Sequence, residues 1–468
     1  MLLWFRNDIR THDNPALHYF ISQQRDNEIS KAVFFVSEKQ WRLHDWSTIK
    51  IDLIKRHLTL LSDELALLNI ELLLVDLDSF DEQANFLQRY CTEYNITEVV
   101  ANSEVEYNEK IRDEKCLQLG IPLTLFEADV IVPKGAVLTK TGEMYKVFTP
   151  FKRAWLNHVK DYGFEYLGKA TPNKPSTTKK TISQSPVEEA TSPSAQWPLI
   201  NTIERQVIPT FLNEKVHSYN SQRDIPSIKG TSGLSPYLAI GAVSPRYLLT
   251  LLINQFPDIL TATDTEHFTW LNELIWREFY RHLLFHQPRL CKHQCFNEKY
   301  QSVRWPNNPE LFKAWCLGKT GYPLVDAAMR QLNKTGWMHN RLRMVVASFL
   351  TKHLLIDWRW GEKYFMENLI DGDLAANNGG WQWAASTGCD AQPYFRIFNP
   401  IRQSERFDPN GDFIRMYLPE LNKVPTKHIH FPHTYLANNS LLIEDESRYW
   451  PAIVEHKAAR LAALDFYK

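Results

Sequence analysis

Residues 51–75 read IDLIKRHLTLLSDELALLNIELLLV, and this stretch decides the fold. Ile51, Ile54, Leu58, Leu61, Leu65 and Leu68 recur at helical spacing, and the short apolar run Ile70–Val75 follows at once. That change of pattern marks an amphipathic helix feeding a buried strand. Working outward, Leu2–Phe5, Ala32–Val36, Glu98–Ala101 and Leu123–Phe126 have the same strand-like character. Strands alternating with helical patterns predict an α/β fold with a doubly wound parallel sheet. The first glycine of the chain is Gly120. A dinucleotide fingerprint or a P-loop needs glycines after the first strand, where backbone amides approach phosphate. A ligand of this domain is therefore held by another route.

The 468 residues set a soft expectation of about three domains. Lys and Arg number 53 against 54 Asp and Glu, so a nucleic-acid partner has to be held by a local basic patch. No run of about 18 apolar residues predicts a membrane span, and the N-terminus lacks the basic start and long apolar run of a signal peptide. Six scattered cysteines fit a reducing compartment, and a cytoplasmic location is expected. Cys291, His293 and Cys295 lie close together but lack a second pair of ligands, so no metal site is expected.

Between 169 and 198 Pro, Ser and Thr dominate, which reads as an exposed linker. From about 200 the pattern is helical, with helices expected over 264–286, 309–317, 322–333, 338–355 and 361–369. The expected organisation is an α/β domain over 1–130, an interdomain linker over 131–200 and a larger all-helical domain over 201–468.

Five segments carry chemistry. Gly230–Pro236 is a hydroxyl-rich turn, suited either to a helix N-cap or to a diphosphate. In Trp270–Tyr280, helical spacing puts Glu273, Trp276, Arg277 and Tyr280 on one face, while Leu271, Leu274, Ile275 and Phe279 pack elsewhere. The stripe reads as a solvated face or as the wall of a cavity that stacks a planar ring. In Gly336–Met344, Asn340, Arg343 and Met344 share a face, and a buried Arg343 needs an anionic partner, with Asp371 and Asp373 as candidates. Asp373, Asn377 and Trp381 follow i, i+4 spacing, with Trp383 about 200° from Trp381 around a helix. Gly379 and Gly380 either break that helix or permit close approach of something flat. Tyr394–Phe407 mixes cations, an amide and aromatics, as a surface run or as a grip on phosphate and bases. Fifteen tryptophans, mostly in the last 200 residues, complete the picture.

Together these segments, with the opening Trp4–Pro15, resemble the photolyase/cryptochrome family in order and spacing over nearly the whole chain. The match is closest to class I cyclobutane pyrimidine dimer photolyases of the folate-antenna kind. The resemblance implies an N-terminal antenna domain and a helical FAD-binding domain. It implies light-driven repair of pyrimidine dimers in DNA by electron transfer from reduced FAD, by an enzyme that is a carbon-carbon lyase and a monomer. Tyr219, Thr231, Ser232, Leu234, Ser235, Trp270, Arg277, Arg343, Asp371, Gly372, Asp373 and Asn377 match FAD-pocket positions, as does Gly233, where some relatives carry an Arg. Asn377 matches the position facing the flavin N5, where a neutral amide stabilises the reduced anionic flavin and favours repair over signalling.

Arg223, Glu273, Trp276, Tyr280, Asn340, Met344 and Trp383 match positions that line the dimer cavity or touch DNA, and Arg341, Arg396 and Gln403 match DNA contacts. Glu273 and Asn377 are expected to serve catalysis, with Trp381, Trp358 and Trp305 as the chain that reduces the flavin. Asn108, Glu109, Cys291 and Lys292 match the site of the antenna, 5,10-methenyltetrahydrofolate. The alternatives are a cryptochrome-type blue-light receptor and a single-stranded-DNA-specific cryptochrome-like repair protein. The set Glu273, Trp276, Met344 and Trp383 weighs against the first.

Overall fold

A computed structural model describes residues 1–24, 30–172, 192–439 and 449–468. It divides into two compact units. The first holds Met1–His217, Ser232–Lys292 and Ile370–Ala375, and the second holds Ser218–Thr231, His293–Leu369 and Ala376–Lys468.

The first unit is built on β1 (Leu2–Phe5), β2 (Ser30–Val36), β3 (Ile70–Asp76), β4 (Val99–Asn102) and β5 (Leu123–Phe126). All pair in parallel in the order β3-β2-β1-β4-β5. The chain returns past β1 between β3 and β4, so the switch point lies beyond the C-terminal ends of β1 and β4, where doubly wound sheets place ligands. The central strands β1 and β4 are buried along their whole length, as strands covered on both faces are, whereas the edge strands β3 and β5 leave Leu74 and Leu125 exposed. Leu2, Trp4, Val33, Phe35, Val99 and Ala101 form one core with Ala84 and Leu87 of the covering helix.

Helices α1 (Pro15–Ser22), α2 (Thr48–Ala66), α3 (Phe80–Glu93) and α4 (Tyr107–Gln118) connect the strands. Side-chain caps begin three of them: Asn14, Ser47 and Ser79 accept from the backbone N–H three residues on. The stretch 131–200, expected as linker, contains α5 (Phe148–Tyr162). That helix packs on α6 (Glu266–His286), with the Phe151 and Phe279 rings 5.2 Å apart. Residues 173–191 of the Ser/Thr/Pro stretch lie outside the described residues. At its end Pro193, Ala195 and Gln196 are exposed but Ser194 is fully buried: its N–H donates to Asp52 of α2 at 2.9 Å, and Arg56 donates to its carbonyl at 2.8 Å.

The second unit is helical. Its principal elements are α7 (Pro309–Cys316), α8 (Pro323–Thr335), α9 (Asn340–Ser348), α10 (Trp358–Asn368), α11 (Leu374–Ala385, whose first two residues belong to the first unit), α12 (Pro400–Phe407) and α13 (His456–Phe466). Trp315, Val346, Phe349, Phe365, Trp381 and Phe413 lie in its core. The helix expected over 338–355 is two elements: α9 ends at Ser348, and one π-turn spans Phe349–His353. Gly379 and Gly380 do not break α11. Among the described residues no helix is long and apolar enough to cross a membrane.

Candidate active site

In the first unit, α6 starts from Thr265, whose hydroxyl accepts from Phe268 N at 3.2 Å. Leu271, Leu274, Ile275 and Phe279 are buried, while Glu273, Trp276, Arg277 and Tyr280 are half-buried along one side. Trp270 is buried, 4.9 Å from the Phe211 ring. One face of Trp276 is already occupied: Phe148 stacks on it with centroids 3.6 Å apart and planes 7° from parallel. The Arg277 guanidinium is held by Asp129, donating to its carbonyl at 2.6 Å and to its carboxylate. Beside Arg277, the Glu278 carboxylate is fully buried and accepts from Ile131 N, from Val132 N at 3.2 Å and from Trp155 Nε1 at 2.5 Å. Burial pushes its carboxyl up to about 7 in spite of those donors.

The loop before α11 is held by two cations. Lys50 of α2 donates to the Gly372 carbonyl at 2.8 Å, and Arg281 of α6 donates to the Asp373 carboxylate. Asp371 is buried. Arg281 also donates to Glu106 at 3.0 Å and lies 3.1 Å from Asp129. Burial would raise the Asp129 carboxyl, but Arg277, Arg281 and Lys134 outweigh it and hold it well below the usual range. Burial dominates at Glu106, raised to about 7 despite Arg281, and at Lys50, lowered to about 8 despite Asp373 and Glu106.

At the hydroxyl-rich turn, Gly233 has φ +69° and open space where a Cβ would sit. The short helix Ser235–Ala239 has Leu234 at its N-cap and no side-chain cap. The simple N-cap reading therefore does not hold, and Ser232 Oγ instead accepts from Leu234 N at 3.4 Å.

The four residues matched to the antenna site gather at the start of α4. Asn108 lies 3.0 Å from His44 Nε2, and Glu109 lies 3.4 Å from His44 Nδ1. Burial lowers the His44 pKa, but Glu109 more than offsets it and raises it overall. The Lys292 ammonium sits 3.7 Å over the Tyr107 ring. The neighbouring Cys291 thiol, hydrogen-bonded to the Tyr107 backbone, is pushed up to about 12 by burial. A cleft of about 440 Å³ beside Glu109 is walled by Trp41, Trp46, Phe34 and Phe80.

In the second unit, Asn377 donates its Nδ2 to the Glu362 carbonyl at 2.9 Å, which fixes the amide's orientation. The Glu362 carboxylate is buried, accepts from Asn378 at 2.7 Å and pairs with His293 at 3.1 Å. Trp381 is buried against Phe365 (4.9 Å) and Trp315 (6.1 Å), whereas Trp383 is half-buried beside Phe398 (6.4 Å). Close approach of Trp381 is permitted by Gly361 of α10, where a Cβ would lie 2.1 Å from the indole. Trp358 is fully buried beneath the Arg359 guanidinium, and Trp305 packs on Phe466 at 5.0 Å.

Arg341 is committed to an ion pair, donating to Asp224 at 2.8 and 3.2 Å and lying 4.4 Å over the Phe407 ring. Arg223 is 4.0 Å from the same Asp224. Arg343 donates to the Met338 carbonyl at 2.8 Å. Tyr219 is buried; Thr231, Met344 and Gln403 are half-buried, and Asn340 and Arg396 are exposed.

Polar atoms on these motif segments, among them Asn272 Oδ1 on α6, Trp337 Nε1 and His339 Nε2 ahead of α9 and Gln403 Oε1 on α12, are buried with no hydrogen-bond partner among the described residues. Hydroxyls, guanidinium groups, an oriented amide and such atoms suit a large polar, aromatic cofactor. Sequence reasoning missed Phe148, Glu278, Arg281, His44, Asp224 and Glu362. Each acts through a partner distant in sequence; only the helical spacing of Arg281 from Arg277 could have pointed to one of them.

A parallel doubly wound sheet, a helical unit and a half-buried aromatic and ionic stripe on one long helix define the general class: an α/β-plus-helical ligand-binding protein. The family model described as "DNA photolyase" matches residues 1–176, and that described as "FAD binding domain of DNA photolyase" matches residues 270–468. The chain belongs to the DNA photolyase family.

It is 46% identical to a protein of Vibrio cholerae over 100% of this chain and 99% of that one. It is 45% identical to one of Escherichia coli over 100% and 98%. Both relatives are named deoxyribodipyrimidine photo-lyase. Among solved structures, a class III photolyase from Agrobacterium tumefaciens aligns with a TM-score of 0.80 and 33% identity, covering 100% of this chain and 96% of that one. An archaeal photolyase from Sulfolobus tokodaii with two FAD molecules aligns at 0.75 and 28%, covering 100% and 99%.

Proposed function

We infer that the chain is an FAD-dependent enzyme that repairs cyclobutane pyrimidine dimers in DNA by light. The observation that carries the reading is its similarity, end to end, to relatives named deoxyribodipyrimidine photo-lyase. When bound, reduced FAD would supply on photoexcitation an electron that opens the cyclobutane ring and then returns to the flavin, so that the repair is redox-neutral. The protein binds, orients and excludes water.

Tyr219, Thr231 to Ser235, Trp270, Arg277, Arg343, Asp371 to Asp373 and Asn377 hold the cofactor. With Nδ2 committed to Glu362, Asn377 offers its Oδ1, an acceptor for an N5–H, and an acceptor there favours the reduced, N5-protonated form. Trp276 and Trp383 stack on the pyrimidines, Glu273 and Asn340 hydrogen-bond their edges, and Met344 supplies a soft apolar wall. The dimer reaches them by flipping out of the helix, since chemistry on a stacked base requires taking it out of the stack. Arg223, Tyr280, Arg396 and Gln403 contact DNA, and Arg341 does so from its ion pair with Asp224. Trp381, Trp358 and Trp305 pass electrons inward when the cofactor is oxidised.

The second chromophore is a methenyltetrahydrofolate held by Asn108, Glu109, Cys291 and Lys292. Its support is the gathering of these four side chains at the start of α4 with His44.

The test is direct. Purified protein with irradiated duplex DNA should remove dimers under blue light and not in the dark. Equal dimer counts in light and dark refute the reading.

A further inference from the structure

Three cations and three carboxylates meet in the first unit. Lys50 comes from α2, Arg277 and Arg281 from α6, Glu106 from the N-cap of α4, Asp129 from the segment after β5, and Asp373 from the loop before α11. Their formal charges cancel. Arg281 is the hub. It is buried, and its guanidinium reaches Glu106 at 3.0 Å, Asp129 at 3.1 Å and the Asp373 carboxylate. Lys50 fastens the same loop through the Gly372 carbonyl at 2.8 Å.

Two of these ties matter together. Glu106 stands at the N-cap position of the helix whose next residues include Asn108 and Glu109, its carboxylate turned to Arg281 rather than to the helix's own N–H groups, and Asp373 stands four residues before Asn377. A single planar guanidinium thus binds both the helix start assigned to the antenna and the loop assigned to the flavin. Guanidinium is suited to this, because its rigid fork fixes several carboxylates in direction as well as distance, which a lysine ammonium does not.

We propose that Arg281 is a positioning residue that locks the antenna-bearing helix start and the flavin-bearing loop into one frame, and so sets how efficiently excitation passes from the antenna to the flavin. The inference rests on the antenna and flavin readings above. Resonance transfer falls steeply with distance and with the angle between transition dipoles, so small loosening of this frame is visible in transfer before it is visible in binding. Burial strengthens the hold, since removing one charge leaves like charges facing one another at low dielectric.

The experiment compares holoprotein carrying Arg281→Lys or Glu106→Gln with wild type. Arg246→Lys serves as control, altering a buried ion pair with Asp13. The readout is photoreduction of bound FAD per absorbed photon under near-UV excitation of the pterin band, divided by that under direct blue excitation of the flavin. Absorbance gives the occupancy of each chromophore. With both chromophores retained, the ratio should fall about two-fold or more in Arg281→Lys and in Glu106→Gln, and stay at the wild-type value in the control. A merely structural role would lower occupancy or both yields together and leave the ratio unchanged.

Glu106→Gln is nearly isosteric and serves if Arg281→Lys does not fold. An unchanged ratio in the variants overturns the inference alone. A wild-type protein that takes up no pterin overturns the antenna reading and this inference with it.

Discussion

Replacing Gly361 by Ala sets two effects against each other. Alanine favours the helix interior by about 1 kcal/mol over glycine. Against that, the new methyl would lie 2.1 and 2.4 Å from two carbons of the Trp381 indole and 2.7 Å from Leu350. The indole cannot retreat easily, because Phe365 and Trp315 pack on it at 4.9 and 6.1 Å. Overpacking of a dense core costs typically about 1 to 3 kcal/mol, and three contacts this short put the change at the upper end. The balance is a net loss of about 1 to 2 kcal/mol, with Trp381 displaced.

Denaturant unfolding should show the loss, and photoreduction of oxidised FAD should slow, while repair by protein already reduced should persist. Gly380→Ala in α11 is the internal contrast, since among the described residues its methyl would meet no atom within 4 Å beyond its own stretch of helix. It should stabilise the cofactor-free protein by about 0.4 to 1 kcal/mol. A Gly361→Ala protein with unchanged stability and unchanged photoreduction refutes the packing argument.

Trp381→Phe should slow photoreduction at least as much, with repair by pre-reduced enzyme spared; loss of repair as well would remove Trp381 from the electron path. Trp383→Ala should weaken binding to dimer-containing DNA by about 1 to 3 kcal/mol and leave FAD bound, as gel-shift and absorbance measurements can check; equal loss of both contradicts the division of roles. The Glu278 carboxyl, raised by burial to about 7 from an ordinary value near 4.5, binds its proton more tightly in the folded chain. Its contribution to stability is therefore fully present below about pH 4.5 and declines as pH rises toward 7. Glu278→Gln should flatten that decline, and an unchanged slope in thermal midpoint against pH rules out Glu278 as its source.

What the sequence disclosed follows from the range of the physics involved. Hydrophobic period is local, so β1 and β5 fall where the apolar runs place them, and the two sides of α6 separate as helical spacing requires. The split of 338–355 into α9 and a π-turn was hidden, because apolar period alone does not distinguish i+4 from i+5 bonding. Partnerships were also hidden. Arg341 reads as a cation free for phosphate until Asp224, more than a hundred residues earlier, appears beside it. The Ser/Thr composition near 194 reads as solvent-exposed, yet Asp52 and Arg56 draw Ser194 inside. Recognising the motif order identified Asn377, but only the fold shows which end of its amide is engaged.

The stack of Phe148 on Trp276 has a thermodynamic consequence. A bulky side chain that is frozen only when a ligand arrives charges its lost rotamers, about 0.5 to 1.5 kcal/mol, to the binding equilibrium. Here the indole is immobilised during folding, at the expense of the stability of α5 on α6 rather than of affinity. Phe148→Ala should accordingly weaken stacking on Trp276, and the weakening should appear chiefly as a less favourable binding entropy.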